Sequence, residues 1–174
     1  MAGGDAQPAR ERWAITNAER AFGAGAEQDA LVPSFERVVH VGLTVRDMYV
    51  SEQWYERVLG FQFVKEFAVS AGEQGIPRIL LIHPASGFLI GLYSHNERSG
   101  DEFTPLRTGL DHVALEVRDA DELERWSSHL DSLGVDHSPI RDLGHSRFIS
   151  LEDPDGIQFE VWHTLTPHTP HPRG

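Results

Sequence analysis

The sequence predicts an α+β fold built from two copies of one module, each with the order strand, helix and three strands (βαβββ). The first observation is an eight-residue segment, His40–Asp47, whose sequence HVGLTVRD returns as HVALEVRD in His112–Asp119, with six identical positions. The second is a later pair of segments, Pro84–Tyr93 and Pro154–Trp162, which repeats in the same chain order. Two repeats in one order indicate a duplicated module of roughly 65–70 residues.

Each copy begins with alternating residues, which predict a β-strand. In Arg37–Val45 one face carries Val39, Val41, Leu43 and Val45, while the other carries Val38 and the small or polar residues His40, Gly42 and Thr44. The second copy alternates in the same way and places His112 on its small and polar face. The two histidines therefore occupy equivalent positions on equivalent strands.

A helix is predicted after each of these strands. Asp47 and Asp119 stand where an N-cap belongs, and apolar residues then recur at helical spacing until Gly60 and Gly134 end the helices. Three strand-like segments complete each module: Phe61–Val69, Arg78–Ile82 and Phe88–Tyr93 in the first, and Val135–Ile140, Arg147–Leu151 and Gln158–His163 in the second.

The chain divides into four segments on this basis. Residues 1–34 form an N-terminal extension that we expect to be partly helical, at Ala9–Phe22, or mobile. The first βαβββ module spans residues 35–98 and the second spans residues 99–165. Residues 166–174 form a tail that contains three prolines and two histidines, and we expect it to be disordered.

The composition excludes several classes of protein. The 174 residues include no cysteine, so disulfides, thiolate nucleophiles and cysteine-bound zinc are all excluded. The net charge of −12 argues against a nucleic-acid partner, which requires a basic face. No apolar run approaches the ~20 residues of a membrane helix, and no secretory signal is visible. We therefore expect a cytoplasmic protein with a small-molecule substrate and no membrane partner.

Three residues carry the candidate chemistry: His40, His112 and Glu160. Alternation along the last strand places Glu160 on the face opposite Phe159 and Val161. Two imidazoles and one carboxylate suit a divalent ion such as Fe²⁺, Mn²⁺ or Zn²⁺ and leave coordination positions open. The residues alone do not show that the three converge, and a half-buried structural histidine is the alternative. The repeat favours convergence, because a pseudo-twofold brings equivalent positions towards one axis.

The sequence resembles the vicinal oxygen chelate superfamily, which includes glyoxalase I, methylmalonyl-CoA epimerase, extradiol dioxygenases, fosfomycin-resistance transferases and bleomycin-binding proteins. The resemblance covers about residues 36–164. It rests on the repeated HVGLTVRD segment with WYERVLGF at Trp54–Phe61, on GLDHVALEV at Gly109–Val117, and on EDPDGIQFE at Glu152–Glu160. It implies that the two modules form a cup-shaped mixed sheet that holds a metal.

The resemblance also implies which positions bind that metal. The family's ligands lie on the first and last strands of each module, which here are His40, Gly91, His112 and Glu160. Glycine has no side chain to coordinate a metal, whereas glyoxalase I has Glu there and the epimerase has Gln. A set of three ligands remains, as in the dioxygenases and fosfomycin transferases.

Several activities stay open at this point. We expect a metal-dependent enzyme whose substrate chelates through two adjacent oxygens, most simply a dioxygenase with Fe²⁺. A redox-neutral lyase or isomerase with Zn²⁺, Mn²⁺, Ni²⁺ or Co²⁺ is one alternative, and a drug- or metabolite-binding resistance protein is another. The absence of a lysine after Lys65 argues against a fosfomycin transferase. The resemblance further suggests a homodimer.

Other residues are weaker candidates. His145 lies near the position of the dioxygenases' acid–base histidine, although a plain loop histidine is the alternative. Aromatic side chains on the strands suggest a substrate pocket, as do arginines able to hold a carboxylate or enolate, although core packing and solvation are the default interpretations. The pocket candidates are Tyr93, Phe148, Trp162 and Arg147, and Arg78 and Arg107 are further arginines of this kind.

Overall fold

The computed structural model describes residues 35–69, 75–95 and 102–167. The chain divides into two units, Met1–Val38 and Val39–Gly174. The few described residues of the first unit, 35–38, form neither helix nor strand. The helix predicted at Ala9–Phe22 and nearly all of the C-terminal tail lie outside the described residues.

The first module contains one helix and a four-stranded mixed sheet. Strand β1 runs parallel to β4, and β4, β3 and β2 follow as antiparallel neighbours, which gives the order β1-β4-β3-β2. The parallel pairing requires a crossover between β1 and the rest of the sheet, and the helix belongs to it. The elements are β1 (His40–Thr44), α1 (Met48–Leu59), β2 (Gln62–Val69), β3 (Ile76–Ile82) and β4 (Leu89–Tyr93).

The second module repeats this topology, with the strand order β5-β8-β7-β6. Its elements are β5 (His112–Glu116), α2 (Ala120–Leu133), β6 (Arg141–Asp142), β7 (Ser146–Glu152) and β8 (Gln158–Thr164). The α+β class and the duplicated module are thereby confirmed. The two sheets are not hydrogen-bonded to each other among the described strands.

One predicted strand is wrong. Residues Val135–Ile140 form no strand, and pairing with β7 is limited to β6, which has two residues, and to an isolated bridge between His137 and Leu151. Pro139 interrupts the predicted segment, and a proline has no N–H to donate to a neighbouring strand. Ser138 takes over part of the pairing, since its hydroxyl accepts from the backbone N–H of Ser150.

Both helices begin and end where the sequence predicts. The carboxylate of Asp47 accepts from the backbone N–H groups of Tyr49 and Val50, and that of Asp119 accepts from Glu122. Gly134 ends α2 with φ of 65°, a left-handed conformation that favours glycine. Neither helix in the described part of the chain is long and apolar enough to cross a membrane.

Each sheet has one face in the core and one face turned away from its helix. The core faces carry the fully buried aliphatic residues, such as Leu43, Ile79 and Ile149. We call the opposite faces the first and second open faces. Register places His40, Gly42, Lys65, Phe67, Arg78, Gly91 and Tyr93 on the first open face, and His112, Ala114, Phe148, Ser150, Glu160 and Trp162 on the second.

A buried polar contact joins the two modules. Tyr55 on α1 is fully buried, and its hydroxyl donates to Oδ2 of Asp153 over 2.8 Å. The other oxygen of Asp153 accepts from the backbone N–H groups of Asp155 and Ile157, each at 2.8 Å. Burial raises the pKa of Asp153, and these three hydrogen bonds offset part of the rise. The first module is thus anchored to the turn between β7 and β8.

Candidate metal centre

The second open face brings His112 and Glu160 together. Ala114 on β5 pairs with Glu160 on β8, so His112 lies two residues away along the neighbouring strand and on the same face. Nε2 of His112 is 3.4 Å from Oε2 of Glu160. The Glu160 side chain is 13% exposed and that of His112 is 40% exposed. The pair therefore lies at the surface of the sheet, with its carboxylate largely sheltered from solvent.

Asp111 fixes the orientation of the His112 ring. Its Oδ1 lies 2.7 Å from Nδ1 of His112, and because an ionised carboxylate only accepts hydrogen bonds, this contact favours the tautomer with the proton on Nδ1. Nε2 is the ring nitrogen that faces Glu160. A carboxylate behind a histidine sets the ring tautomer in this way at many metal sites and makes the coordinating nitrogen more basic.

The His112–Glu160 pair fits a divalent ion. Two ligands on one ion, each bound at about 2.1 Å, lie roughly 3.4 Å apart at a tetrahedral angle. The observed separation between Nε2 and Oε2 is 3.4 Å. Oε2 of Glu160 is also buried and has no hydrogen-bond partner among the described residues. A buried carboxylate oxygen without a donor is costly unless a cation satisfies it.

His40 lies in the equivalent position on β1 but away from this pair. It is exposed, and among the described residues no group of three His, Asp or Glu side chains is placed to hold a metal. The structure therefore brings two of the three predicted ligands together within one chain and leaves His40 on the first open face. The three-residue set stays a prediction.

Gly91 is the counterpart of Glu160 in the first sheet, as the sequence repeat indicates. It pairs with Gly42 just as Glu160 pairs with Ala114. The space beside Gly91 is filled, because a Cβ built there would lie 2.9 Å from both Nε and Nη2 of Arg78. A cation thus occupies the place where a fourth carboxylate ligand would project.

The predicted pocket residues fall on different surfaces. Phe148 and Trp162 stack on the second open face, with ring centroids 5.2 Å apart, beside Glu160. Tyr93 lies on the first open face. Arg147 is not brought to either, since it faces α2 and lies 3.8 Å from Glu124. His145 stands in the turn between β6 and β7, and its catalytic role stays a prediction.

Two residues near this site, Asp111 and Arg78, are not among the candidate ligands predicted from the sequence. Asp111 directly precedes His112, so an acidic neighbour of a candidate ligand was a signal available in the sequence. Arg78 was visible only as one of several arginines, because its position over Gly91 depends on the register between β3 and β4. Asp111 can be found from its adjacency to His112 in the sequence, whereas the position of Arg78 can be found only from the tertiary fold.

The family of the chain follows from its sequence and fold together. The model of the Glyoxalase/Bleomycin resistance protein/Dioxygenase superfamily matches residues 37–161. The chain belongs to this superfamily. The family predicted from the repeated segments is thereby confirmed, and the match spans both modules. No curated protein matches the sequence significantly.

Solved structures agree with this assignment. A glyoxylase/bleomycin resistance protein/dioxygenase domain from Frankia sp. EAN1pec is 27% identical, with a TM-score of 0.66, and the match covers 75% of this chain and 99% of that one. A glyoxalase family protein from Enterococcus faecalis is 21% identical, with a TM-score of 0.59 and coverage of 74% and 98%. The fosfomycin resistance protein FosX from Listeria monocytogenes, in complex with Mn(II) and sulfate, is 16% identical, with a TM-score of 0.54 and coverage of 75% and 93%. The last two similarities concern the fold alone.

Proposed function

We propose that this chain is a divalent-metal enzyme whose substrate chelates the metal through two adjacent oxygens. The ligands are His40, His112 and Glu160, and Fe²⁺ with a dioxygenase-like reaction is the sharper form of the proposal. The observation that carries it is the His112–Glu160 pair, with a separation of 3.4 Å and a carboxylate oxygen that lacks a donor among the residues that the structure describes. The Mn(II) in the Listeria FosX structure supports a divalent ion in a protein of this fold.

The chain's own residues have separate roles in this proposal. A bound divalent ion supplies Lewis acidity, which favours the ionised form of a chelating hydroxyl or enol. Asp111 holds the proton on Nδ1 of His112 and so keeps Nε2 available as a ligand. The stacked rings of Phe148 and Trp162 offer an apolar wall for a planar substrate beside Glu160.

The third ligand comes from a second copy of the chain in this proposal. Strands β1 and β5 each pair with only one neighbour among the described strands, so each is an edge of its sheet. His40 and His112 are the first residues of these edges, and His40 is exposed. In a twofold dimer, β1 of each copy lies beside β5 of the other. Each of the two sites then combines His40 from one copy with His112 and Glu160 from the other.

Metal content tests the ligand set directly. We expect the purified protein to bind close to one divalent ion per chain, as measured by elemental analysis after removal of loosely bound metal. His112→Ala and Glu160→Gln should abolish this binding, whereas His163→Ala, a substitution on the helix-facing side of β8, should leave it unchanged. Wild-type protein that takes up no divalent ion from a reconstitution series would contradict the proposed enzyme and favour the metabolite-binding alternative.

Complementation between two inactive variants tests the shared site. His40→Ala and Glu160→Gln each remove a ligand from every site of a homodimer. In a heterodimer of the two variants, one site carries both defects and the other is intact. After random re-association, half of the dimers are heterodimers, so about a quarter of the wild-type metal content should return. No recovery after verified subunit exchange would show that the site lies within one chain.

Oxygen uptake separates the dioxygenase from its redox-neutral rivals. The Fe²⁺-loaded protein should consume oxygen with a chelating aromatic diol such as catechol, and His112→Ala should not. If no uptake occurs across a broad panel of diols while metal binding persists, a lyase or isomerase that uses another divalent ion is the better assignment.

A further inference from the structure

Arg78 lies over Gly91 on the first open face. The position in the second module that corresponds to Gly91 is Glu160. Two glycines pair across β1 and β4, Gly42 with Gly91, and a Cβ on either would require a neighbouring side chain to shift. A Cβ on Gly42 would lie 2.9 Å from the Tyr93 ring, and one on Gly91 would lie 2.9 Å from Nε and Nη2 of Arg78. In the second module the matching pair is Ala114 and Glu160, and the Glu160 carboxylate projects from the second open face. The first module therefore presents a cation where the second presents an anion.

Aromatic rings hold the Arg78 guanidinium from both sides. Phe67, Arg78 and Tyr93 stand side by side on three neighbouring strands. The guanidinium carbon lies 5.2 Å from the centroid of Phe67 and 4.9 Å from that of Tyr93. Such packing fixes the plane of the guanidinium group and reduces its freedom, so the entropy cost of binding a ligand falls.

Arg78 has a donor that no described residue satisfies. Its Nε is buried and has no hydrogen-bond partner in the part of the chain that the structure describes. The strand residues of the first open face include a second cation, Lys65, whose Nζ lies 4.7 Å from the Phe67 centroid, and no carboxylate. This arrangement occurs in a protein with a net charge of −12. A basic face with unsatisfied donors in an acidic protein is suited to an anionic ligand.

We propose that Arg78 binds a carboxylate of the substrate. The substrate is then an anion that carries this carboxylate as well as its two chelating oxygens. This inference rests on the proposed metal enzyme and names its substrate class. Arg78 lies over Gly91, and Gly91 stands in the same register to His40 as Glu160 does to His112. A planar guanidinium with fixed orientation binds a carboxylate through two parallel hydrogen bonds, which a point charge does not match.

Binding of matched chelators tests the inference. Catechol and the two dihydroxybenzoates, the 2,3- and 3,4-isomers, share the vicinal oxygens and differ in the carboxylate. Calorimetry on metal-loaded protein without oxygen should show at least one dihydroxybenzoate binding about 10- to 100-fold more tightly than catechol. Arg78→Met should remove this preference and leave catechol affinity and metal content unchanged. Arg78→Lys should retain part of it.

Arg57→Met provides a control of the same charge. Arg57 lies exposed in the last turn of α1, the helix that packs on the core face of the first sheet and not on its open face. Its replacement removes the same charge, and the preference for the dihydroxybenzoate should persist. An equal preference in the wild type and Arg78→Met, or no preference in the wild type, would overturn the assignment. Increased metal content in Arg78→Met with an unchanged preference would identify Arg78 as a counter-ion of Glu160 instead.

A second probe keeps the two proposals distinguishable. Benzoate carries a carboxylate but no chelating oxygens, so it reports on Arg78 in metal-free protein. It should shift the ¹⁵N-edited Nε–H signal of Arg78, which is assigned by its absence in Arg78→Lys. If the protein holds no metal but benzoate shifts this signal, the metal enzyme fails and the carboxylate site stands. An unchanged signal up to saturating benzoate would overturn the carboxylate site.

Discussion

Removal of one hydroxyl from Tyr55 should destabilise the protein far more than the same change at Tyr49. The Tyr55 ring is fully buried against Phe61 and Phe159, and these contacts survive in Tyr55→Phe. The lost atom is the donor to Oδ2 of Asp153, a carboxylate that is itself only 6% exposed. A hydrogen bond to a charged group contributes about 1.5–3 kcal/mol, so we expect a loss of about 2 kcal/mol at pH 7.

The pH dependence of this loss has a definite sign. Burial holds the pKa of Asp153 above its ordinary value, and the Tyr55 hydrogen bond lowers it. Tyr55→Phe therefore raises the folded-state pKa further above the unfolded value. The folded state then gains stability as the pH falls through that raised pKa, because it binds the proton more tightly than the unfolded chain. The deficit of the variant should shrink between neutral pH and the ordinary pKa range of an aspartate.

Urea unfolding followed by tryptophan fluorescence measures both effects, since Trp54 lies 5.1 Å from Tyr55, centroid to centroid. A loss of about 2 kcal/mol corresponds to a fall in Tm of roughly 4–8 °C for a chain of this size. Tyr49→Phe is the control, because its hydroxyl donates to Glu66 over 3.0 Å at an exposed position and should cost much less. Equal losses in the two variants, or a Tyr55→Phe deficit that does not change with pH, would refute the role assigned to the Tyr55–Asp153 contact.

Two further substitutions probe the site itself. Asp111→Asn should weaken metal affinity about 10- to 100-fold in a chelator competition, because it removes the carboxylate that orients His112, whereas Asp136→Asn at an exposed loop position should not. Equal affinities in these two variants would contradict the orienting role. Gly91→Ala should displace the end of the Arg78 side chain, whose Nε and Nη2 lie 2.9 Å from the added carbon. Because these atoms belong to a flexible side chain, the cost should be only that of the lost cation–π contacts, about 0.5–1 kcal/mol in unfolding free energy. The substitution should also reduce the carboxylate preference without loss of metal, and an unchanged preference would show that Arg78 tolerates the methyl group.

The sequence predicts the helix ends and the strand faces of this protein because both depend on residues that are close together in the chain. Alternation predicts which face of its own strand each of His112 and Glu160 occupies, and the register of β5 against β8 puts both residues on the second open face. The N-caps Asp47 and Asp119 follow from short-range hydrogen bonding alone. The strand expected at Val135–Ile140 fails because Pro139 outweighs the apolar pattern around it. These are effects of near neighbours in the sequence.

The parts that the sequence does not predict depend on contacts between strands. The family resemblance implies that Gly91 stands at a ligand position, but the sequence does not show what fills the space beside it. The register of β3 against β4 pairs Arg78 with Tyr93, and this pairing carries the guanidinium over Gly91. The separation of His40 from the other two candidates is also a tertiary property, since the repeat relates strands β1 and β5 in sequence but does not fix their distance in space.

The divergence of the two modules sets the charge of the proposed site. A divalent ion bound by two neutral imidazoles and the Glu160 carboxylate retains one net positive charge. Arg78, on the first open face, adds a second positive charge. A carboxylate at the Gly91 position would instead neutralise the ion, as in a four-ligand site. Uncompensated charge in a partly desolvated site is costly, so this arrangement favours a ligand that brings two negative charges. A chelating diol that ionises once on binding and carries a carboxylate supplies both. The glycine at position 91, in place of a fourth ligand, and the position of Arg78 beside it therefore both favour a substrate that carries two negative charges.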